Sequence, residues 1–256
     1  MHTNQFMVSE ILTTAHGAWD TALSLFYPDA CQVCGLEHAT AREGYVCSKC
    51  WQNLRFIRPP FCDRCGLPFE GAITTSFECA NCREMELHFV RARSVIAAKG
   101  MALELIHRYK YQRAVWFEPL FASLLIGEAA PLLRHQGWDL IVPVPLHPMK
   151  QAEREFNQAE RLARHLGRAT GIPISTNLVR RVEPTRSQTR LARAERAQNV
   201  HRAFAPVDGA RCDGRRVALL DDVLTTGATT SACAKVLKDC GAEEVCVWTL
   251  ARGLLH

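Results

Sequence analysis

Apolar and polar residues follow each other along most of the chain in a strand–helix–strand order. The pattern predicts strands at 94–98, 140–145, 172–175, 216–220 and 244–250, and helices at 151–168 and 229–238. Strands that alternate with helices in this way favour a parallel sheet with helices on both faces. Ligands of such sheets bind outside the carboxyl ends of the strands, so the residues that end each strand are the first candidates for chemistry.

The first third of the chain has a different pattern. Residues 6–27 carry apolar side chains at helical spacing, which predicts an amphipathic helix that packs on a neighbouring domain. Cysteines replace apolar periodicity over 28–86, and the composition changes again around 87–100. We therefore expect three parts: an amphipathic helix at 1–27, a small cysteine-rich domain at 28–86 and an α/β domain at 87–256.

Eight of the twelve cysteines form four Cys-x-x-Cys pairs, namely Cys31/Cys34, Cys47/Cys50, Cys62/Cys65 and Cys79/Cys82. This spacing is typical of two zinc ribbons, in which each hairpin tip gives two thiolates to a tetrahedral Zn²⁺. Gly35 and Gly66 follow the second cysteine of their pairs and permit the tight turn. We expect the pairs to be used in sequence, first with second and third with fourth, while interleaved use stays open.

Disulfides are the competing interpretation of these cysteines. They need an oxidising compartment, and the N-terminal residues lack the basic segment and cleavage site of a secretory signal. Eight thiolates leave no open coordination position, so the two Zn²⁺ ions are expected to be structural. Since no apolar run approaches the roughly 20 residues of a membrane span, we expect a cytoplasmic protein without one.

The strongest chemical pattern follows the apolar run at 217–220. Two carboxylates, Asp221 and Asp222, precede a short turn of small and hydroxyl residues, and a helix begins at once. The turn consists of Thr225, Thr226, Gly227, Ala228 and Thr229. Its backbone N–H groups, its hydroxyls and the positive end of the helix dipole can all face one phosphate. The carboxylates lie where ribose hydroxyls or Mg²⁺ would bind, although an ordinary strand–turn–helix is the alternative.

The net charge of +5 is concentrated in one segment. Seven arginines and two glutamates lie between 180 and 202, and these charges account for the whole excess. The arginine guanidinium can donate two hydrogen bonds to the oxygens of one phosphate. The segment could therefore close over a diphosphate as an active-site loop, or contact the backbone of a nucleic acid. A solvated basic helix face is the alternative.

Several blocks, taken together, resemble the ComF family of bacterial competence-associated phosphoribosyltransferase-like proteins. They are the cysteine module, Tyr109-Lys110-Tyr111, the Pro-Val-Pro segment at 142–148, the Arg-Glu-Phe-Asn-Gln block at 154–158, the series Gln188, Leu191, Arg196, Asn199 and Phe204, and the acid pair with its turn. The resemblance covers about residue 20 to residue 252. Glu155 departs from it, because the family has glycine there, and a carboxylate at that position is unfavourable for a bound diphosphate.

The resemblance implies a type I phosphoribosyltransferase-like fold and a site for phosphoribosyl diphosphate (PRPP) with Mg²⁺. Asp221 and Asp222 would hold the ribose hydroxyls, and the turn at 225–229 would hold the 5′-phosphate. Lys110 and Val144 would line the site, and Arg196 would balance the departing diphosphate. The acceptor is not identified by the sequence.

Two functions therefore compete. One is Mg²⁺-dependent transfer of phosphoribosyl with release of diphosphate, linked to DNA uptake. The other is a non-catalytic adaptor that senses PRPP, contacts DNA-uptake proteins and binds single-stranded DNA through the ribbons and the arginine segment. Aromatic residues near the cysteines could stack on bases, namely Tyr45, Trp51, Phe56, Phe61 and Phe69, although packing inside a small module is the simpler role.

Overall fold

A computed structural model describes residues 29–71, 75–183 and 203–254. The amphipathic helix at 1–27, Arg196 and most of the arginine segment lie outside the described residues. The strands are β1 (Arg91–Ala97), β2 (Leu140–Pro143), β3 (Val179–Arg181), β4 (Phe204–Pro206), β5 (Arg216–Leu224) and β6 (Glu244–Arg252). The helices are α1 (Ser48–Gln52), α2 (Ala80–Glu84), α3 (Met101–Tyr111), α4 (Glu118–Gln136), α5 (Pro148–Arg154), α6 (Gln158–Thr170) and α7 (Ala228–Asp239).

Four strands form the central sheet in the order β1–β6–β5–β2, and every neighbouring pair is parallel. The other two strands, β3 and β4, form a separate antiparallel hairpin. β5 and β6 lie in the middle of the sheet, where Asp221 of β5 is in register with Thr249 of β6. The acid pair is therefore carried by a central strand, just past the point where its pairing with β2 ends at Leu220.

Side chains of the central strands alternate between two cores. In β5, Ala218 and Leu220 pack with α3, α4 and α6, whereas Val217 and Leu219 face the opposite side, where α7 packs. A parallel strand that is buried on both faces has to be apolar throughout, as residues 217–220 are. The prediction of a parallel sheet with helices on both faces, preceded by a cysteine-rich domain, is confirmed.

Among the described residues, one helical segment is long and apolar enough to cross a membrane by its length and composition. It is Val115–Gln136, which includes α4. Half of that segment is buried inside the protein. Phe121, Leu125 and Leu133 belong to the core that covers one face of the sheet. The helix therefore has the position of a core helix.

The two cysteine clusters pack on opposite faces of the sheet. Cys31, Cys47 and Cys50 share a core with α3 and α4, whereas Cys62 and Cys65 share the other core with α7. The chain reaches the second face by running beside β1, where Ile57 N donates to Val95 O at 2.9 Å and Ala97 N donates to Arg55 O at 2.8 Å. The division at residue 86 stays a prediction.

The prediction of one helix over 151–168 is wrong. The structure has two helices, because Glu155 adopts the left-handed conformation at φ 66° and ends α5. Asn157 then begins α6 by accepting from the backbone N–H groups of Ala159 and Glu160. This second helix runs to Thr170, where Gly171 ends it in the left-handed conformation.

Residues 172–175 do not form the predicted strand. Only Ile174 bridges to Ile141 of β2, in parallel. Pro173 has no N–H group and cannot donate to a ladder, although its carbonyl accepts from Ile141 N at 2.9 Å. The apolar run at 172–175 thus covers the edge of β2 without extending the sheet.

Candidate functional site

The acid pair lies in the second half of β5, which continues to Leu224 and not to 220 as the apolar run alone suggested. Asp222 is buried and Asp221 is half-buried. Val144, just past the end of β2, donates its N–H to Leu220 O at 2.8 Å and so lies beside the pair. The carboxyl ends of two neighbouring strands meet here, at the edge where α/β sheets bind ligands.

Lys110 reaches the acid pair from the end of α3. Its Nζ lies 2.8 Å from Asp222 Oδ2, and both side chains are more than four-fifths buried. The preceding Tyr109 is fully buried and donates its hydroxyl to Glu118 of α4 at 3.1 Å, which fixes the end of the helix. The structure therefore brings together Lys110, Val144, Asp221 and Asp222, four of the residues that the family resemblance assigned to one site.

Asp221 has an unusual protonation equilibrium. Burial, together with the negative charge of Asp222, raises its pKa from 3.8 to about 7, and the charge of Lys110 opposes this rise. Two adjacent carboxylates on a buried strand repel each other, which favours the protonated form of Asp221. A cation or a set of hydroxyl donors would relieve that repulsion.

The turn at 225–229 lies at the N-terminus of α7. Gly227 adopts φ 92° as the residue before the helix, a conformation that side chains disfavour. Thr226 Oγ1 accepts from Ala228 N at 3.4 Å, and Thr230 Oγ1 donates to Gly227 O at 3.1 Å. The predicted order of strand, acid pair, small turn and helix is thus present, and the helix dipole points its positive end into the turn.

A cavity of about 180 Å³ opens beside the acid pair. It is lined by Lys110, Val144, Leu146, Lys150, Arg154, Asn157, Gln158, Ala159, Arg181, Asp221, Asp222, Val223 and Thr229. The cavity therefore joins the acid pair to the start of α7 and to α5 and α6.

The cavity wall carries four cationic side chains against two carboxylates. Burial, reinforced by the charges of Arg154 and Arg181, lowers the pKa of Lys150, and burial also lowers the pKa of Arg181. Both shifts show that several cationic groups lie close together on the cavity wall, shielded from water. Arg154 is buried and lies 4.8 Å above the ring of Tyr111, which closes the rim of the cavity.

The first turn of α6 also serves the cavity. Asn157 donates from Nδ2 to Val144 O at 3.0 Å, so the cap of the helix also holds the loop after β2. Gln158 is only 1% exposed, and its Nε2 has no hydrogen-bond partner among the described residues. A buried amide donor on a cavity wall is typical of a position that a ligand oxygen satisfies.

Glu155 does not enter the cavity. Its carboxylate pairs with Arg113 at 2.9 Å, and more than half of each side chain is exposed. The positive φ explains why glycine suits this position, since glycine adopts it without strain. The carboxylate of Glu155 therefore lies outside the cavity, where it would not repel a bound diphosphate.

Each four-cysteine cluster has the geometry of a tetrahedral metal site. Cys31, Cys34, Cys47 and Cys50 form one cluster and Cys62, Cys65, Cys79 and Cys82 the other, with the sulfurs of each cluster within 4.8 Å of one another. A tetrahedral Zn²⁺ with Zn–S bonds of about 2.3 Å keeps its ligands about 3.8 Å apart. The Cys34–Cys47 and Cys62–Cys82 sulfurs are 3.9 and 3.7 Å apart. The donor sets fit structural zinc, and the pairs are used in sequence.

Sequence reasoning missed four lining residues. Lys150 and Arg154 come from α5 and Arg181 from β3, and nothing in their local pattern distinguishes them from surface cations. Gln158 belonged to the Asn-Gln block that resembles the family, but its helix position alone suggested a surface residue. The available signals were the family block, which holds Arg154 and Gln158, and the arginine segment, which holds Arg181; only the fold brings these residues to one wall.

Comparison with known proteins places these features in one family. Residues 22–83 match the double zinc ribbon domain family. Competence protein F of Haemophilus influenzae is 32% identical over 240 residues, which cover 89% of this chain and 98% of that protein. This chain belongs to the ComF family. DNA utilization protein YhgH of Salmonella typhimurium is 32% identical over 90% of this ComF-family chain, and competence protein ComFC of Streptococcus pneumoniae is 28% identical over 81%.

Solved structures of phosphoribosyltransferases are similar to part of this ComF-family chain. An adenine phosphoribosyltransferase from Leishmania tarentolae is 17% identical, covers 56% of this chain and 74% of its own, and has a TM-score of 0.36. A purine phosphoribosyltransferase from Pyrococcus horikoshii is 17% identical. The match covers 52% of this chain and 82% of that protein, with a TM-score of 0.33.

Proposed function

We propose that this ComF-family protein binds PRPP in the crevice after β5 and transfers its phosphoribosyl group to an acceptor, releasing diphosphate, as part of DNA uptake. The observation that carries the proposal is the cavity in which the acid pair, Thr229 at the start of α7 and four cations meet. The names of the relatives, competence protein and DNA utilization protein, support the link to DNA.

The acid pair suits the ribose. Asp221 and Asp222 offer carboxylate oxygens to the 2′ and 3′ hydroxyls, and their negative charge favours the positive charge that develops on the ring during transfer. Lys110 orients Asp222 through the contact at 2.8 Å. In this arrangement Asp221 loses its proton when the sugar binds, because hydroxyl donors stabilise the charged carboxylate.

The two ends of the cavity suit the two phosphate groups of PRPP. The turn at 225–229 would hold the 5′-phosphate with backbone N–H groups, threonine hydroxyls and the dipole of α7. Lys150, Arg154 and Arg181 would hold the diphosphate, since they crowd positive charge on the opposite wall. The free Nε2 of Gln158 would donate to a ligand oxygen there. Arg196, which lies outside the described residues, would balance the charge of the leaving group.

Mg²⁺ fits the same site. The carboxylates of Asp221 and Asp222 are oxygen ligands of the kind that Mg²⁺ prefers, and this ion usually binds through one or two carboxylates together with substrate phosphates. When bound, Mg²⁺ would neutralise diphosphate charge.

Calorimetric titration of PRPP with Mg²⁺ tests the site. We expect saturable binding to the wild-type protein and no detectable binding to Asp221→Asn/Asp222→Asn, because the variant loses both ribose contacts. Asp208→Asn/Asp239→Asn is the matched control, since it removes two exposed carboxylates elsewhere. Equal affinity in both variants would contradict the assigned site. Diphosphate release across a panel of nucleobases and other acceptors then tests transfer itself.

A second function, binding of single-stranded DNA, is favoured by one surface of the first ribbon. Trp51 is 39% exposed, its ring lies 5.3 Å from that of Phe56, and the guanidinium of Arg58 lies over Phe56. Exposed aromatic rings beside cations are typical of sites that stack bases. Tyr45, Phe61 and Phe69 are only half-exposed, so Trp51 is the better candidate.

Fluorescence anisotropy with a labelled oligonucleotide tests this second function. Trp51→Ala should weaken binding by about 1 to 3 kcal/mol, as loss of one stacked base does. Arg190→Gln/Arg193→Gln/Arg196→Gln should weaken binding and lower its dependence on salt. Leu36→Ala is the control for Trp51, because it removes another exposed apolar side chain of the same ribbon, 89% exposed against 39% for Trp51. Affinity that is absent, or that does not change with salt, would rule this function out.

A further inference from the structure

Three successive carbonyl groups in the turn before α7 are held by two buried side chains. Arg252, at the end of β6, donates from Nη1 to Leu224 O at 3.0 Å and also to Thr225 O. Asn81, in α2, donates from Nδ2 to Thr226 O at 3.0 Å. Arg252 is fully buried and Asn81 is 4% exposed, so neither contact competes with water.

These contacts determine where the N–H groups of the turn point. In a trans peptide the C=O and N–H of one plane point in opposite directions, and the peptide bonds of this turn are trans. Holding the carbonyls of Leu224, Thr225 and Thr226 therefore directs the N–H groups of Thr225, Thr226 and Gly227 to the opposite side. Successive N–H groups on one side of a turn form an anion-binding concavity.

Both holding side chains depend on the second cysteine cluster. Arg252 donates from Nε to Cys65 O at 3.3 Å and from Nη2 to Cys65 Sγ at 3.4 Å. Asn81 lies between Cys79 and Cys82, so its position follows theirs. The next turn of chain is also attached, since His88 N donates to Ser231 Oγ of α7 at 3.0 Å and Ser231 Oγ donates to Glu86 O.

Charge strengthens this dependence. The hydrogen bonds of Arg252 go to four carbonyls and to the sulfur of Cys65. A buried guanidinium is costly unless a negative charge lies near it. Zn²⁺ bound by four thiolates forms a centre of net charge −2, and such a centre at the second cluster would supply that charge.

We propose that Arg252 and Asn81 are positioning residues through which zinc in the second cluster fixes the turn in its phosphate-binding shape. This inference rests on the proposed function, since it assigns PRPP to the turn. Two sites coupled in this way influence each other equally, so PRPP also stabilises zinc in the second cluster. The first cluster, which contacts α3 and α4, is excluded from this coupling.

The wild-type protein tests the coupling without any substitution. The zinc-loaded protein is treated with a chelator and a thiol-alkylating reagent, with and without PRPP and Mg²⁺, and alkylation of each cysteine is followed by peptide mass spectrometry. We expect PRPP to slow alkylation of Cys62, Cys65, Cys79 and Cys82 by about tenfold, within the usual range of coupling between sites, and to leave Cys31, Cys34, Cys47 and Cys50 unchanged.

Two outcomes would overturn the inference, and they are distinguishable. PRPP that binds by calorimetry but protects both clusters equally, or neither, contradicts the coupling alone. Absence of PRPP binding by the zinc-loaded protein contradicts the proposed function and the coupling with it.

Variants provide an independent test. Arg252→Met keeps a buried stem of similar length but removes every donor, and Asn81→Leu does the same for the amide. We expect PRPP affinity to fall by about tenfold in Arg252→Met and by less in Asn81→Leu. Arg108→Met is the matched control, because Arg108 donates to Gln32 O of the first ribbon at 2.9 Å and does not touch the turn. Unchanged affinity in both Arg252→Met and Asn81→Leu would overturn the proposal, as would an equal loss in Arg108→Met.

Discussion

The two zinc ribbons have the same four ligands at nearly the same spacing, yet they contact different parts of the protein. The first ribbon packs on helices: the turn at Gly44 lies against Leu120 of α4, and Arg108 of α3 donates to its backbone. The second ribbon lies under the turn before α7, which it reaches through Arg252 and Asn81. Ligand spacing therefore predicts the metal site but not what the site supports.

The difference has a simple physical basis. A small zinc domain has little core of its own, so its stability and its influence depend on the surface that it covers. Gly66 approaches β1 so closely that a Cβ atom there would lie 2.9 Å from Ala92 O. The second ribbon is therefore docked on β1 and contacts the turn before α7, whereas the first packs on α3 and α4.

Substituting one zinc ligand, in the first or in the second ribbon, should have the largest effect and tests the comparison between the ribbons. Zinc binding to small zinc domains is worth about 10–16 kcal/mol, so Cys47→Ser and Cys79→Ser should each release one of the two ions and unfold the ribbon concerned. We expect PRPP binding to be lost in Cys79→Ser and retained in Cys47→Ser. Elemental analysis measures the zinc content of each variant, and calorimetry measures its affinity for PRPP. Two full equivalents of zinc in either variant would refute the ligand assignment, and equal PRPP affinities would abolish the distinction between the ribbons.

Lys110→Met tests the ion pair that α3, the helix on which the first ribbon packs, makes in the crevice. It leaves the mostly buried Asp222 carboxylate without its cation, which should lower the free energy of unfolding by about 3 kcal/mol. Adding Asp222→Asn should recover most of that loss, because the unpaired charge is then removed. Urea unfolding of both single variants and the double variant measures the coupling. Strictly additive losses would mean that the ion pair contributes nothing, and Arg108→Met should leave it intact.

Asp221→Asn tests a property that belongs to the crevice and to neither ribbon. The pKa of Asp221 is raised from 3.8 to about 7, so the folded protein binds a proton that the unfolded chain has lost. This contribution to stability is complete below about pH 4 and is lost as the pH rises to 7. Asp221→Asn lacks this loss, so its stability relative to wild type should increase by about 1 kcal/mol between pH 6 and pH 8. A difference that is constant over this range would contradict the raised pKa.

Glu155→Gly has the smallest expected effect, and its site lies outside both ribbons. Glycine adopts the φ of 66° without strain, so the free energy of unfolding should rise by about 0.5–1 kcal/mol. The exposed pair with Arg113 contributes little, and Arg113→Gln in the wild-type background measures that part separately. Thermal unfolding is the measurement. A destabilised Glu155→Gly would show that the ion pair outweighs the backbone strain.

Sequence patterns predicted the features that depend on nearby residues. The run at 217–220, the acid pair and the turn at 225–229 were identified because strand, turn and helix follow one another within one short segment. The cysteine spacing likewise identified both metal sites. The break at Glu155 was missed, because apolar periodicity continues across 151–168 while a left-handed residue interrupts the backbone.

Features that depend on distant parts of the chain were not predictable. Arg252 ends a strand whose pattern reads as apolar, and only the docked second ribbon explains why a guanidinium is buried there. Lys150, Arg154 and Arg181 become one surface only when α5, its neighbours and β3 meet at the cavity. The choice of face for each ribbon is likewise decided by tertiary packing.

The most direct test of the central claim is a crystal structure of the zinc-loaded protein soaked with PRPP and Mg²⁺. The account predicts the 5′-phosphate against the N–H groups of residues 225–228, with the ribose hydroxyls beside Asp221 and Asp222. A crevice that stays empty at saturating PRPP, or a ligand bound elsewhere on the protein, would contradict it.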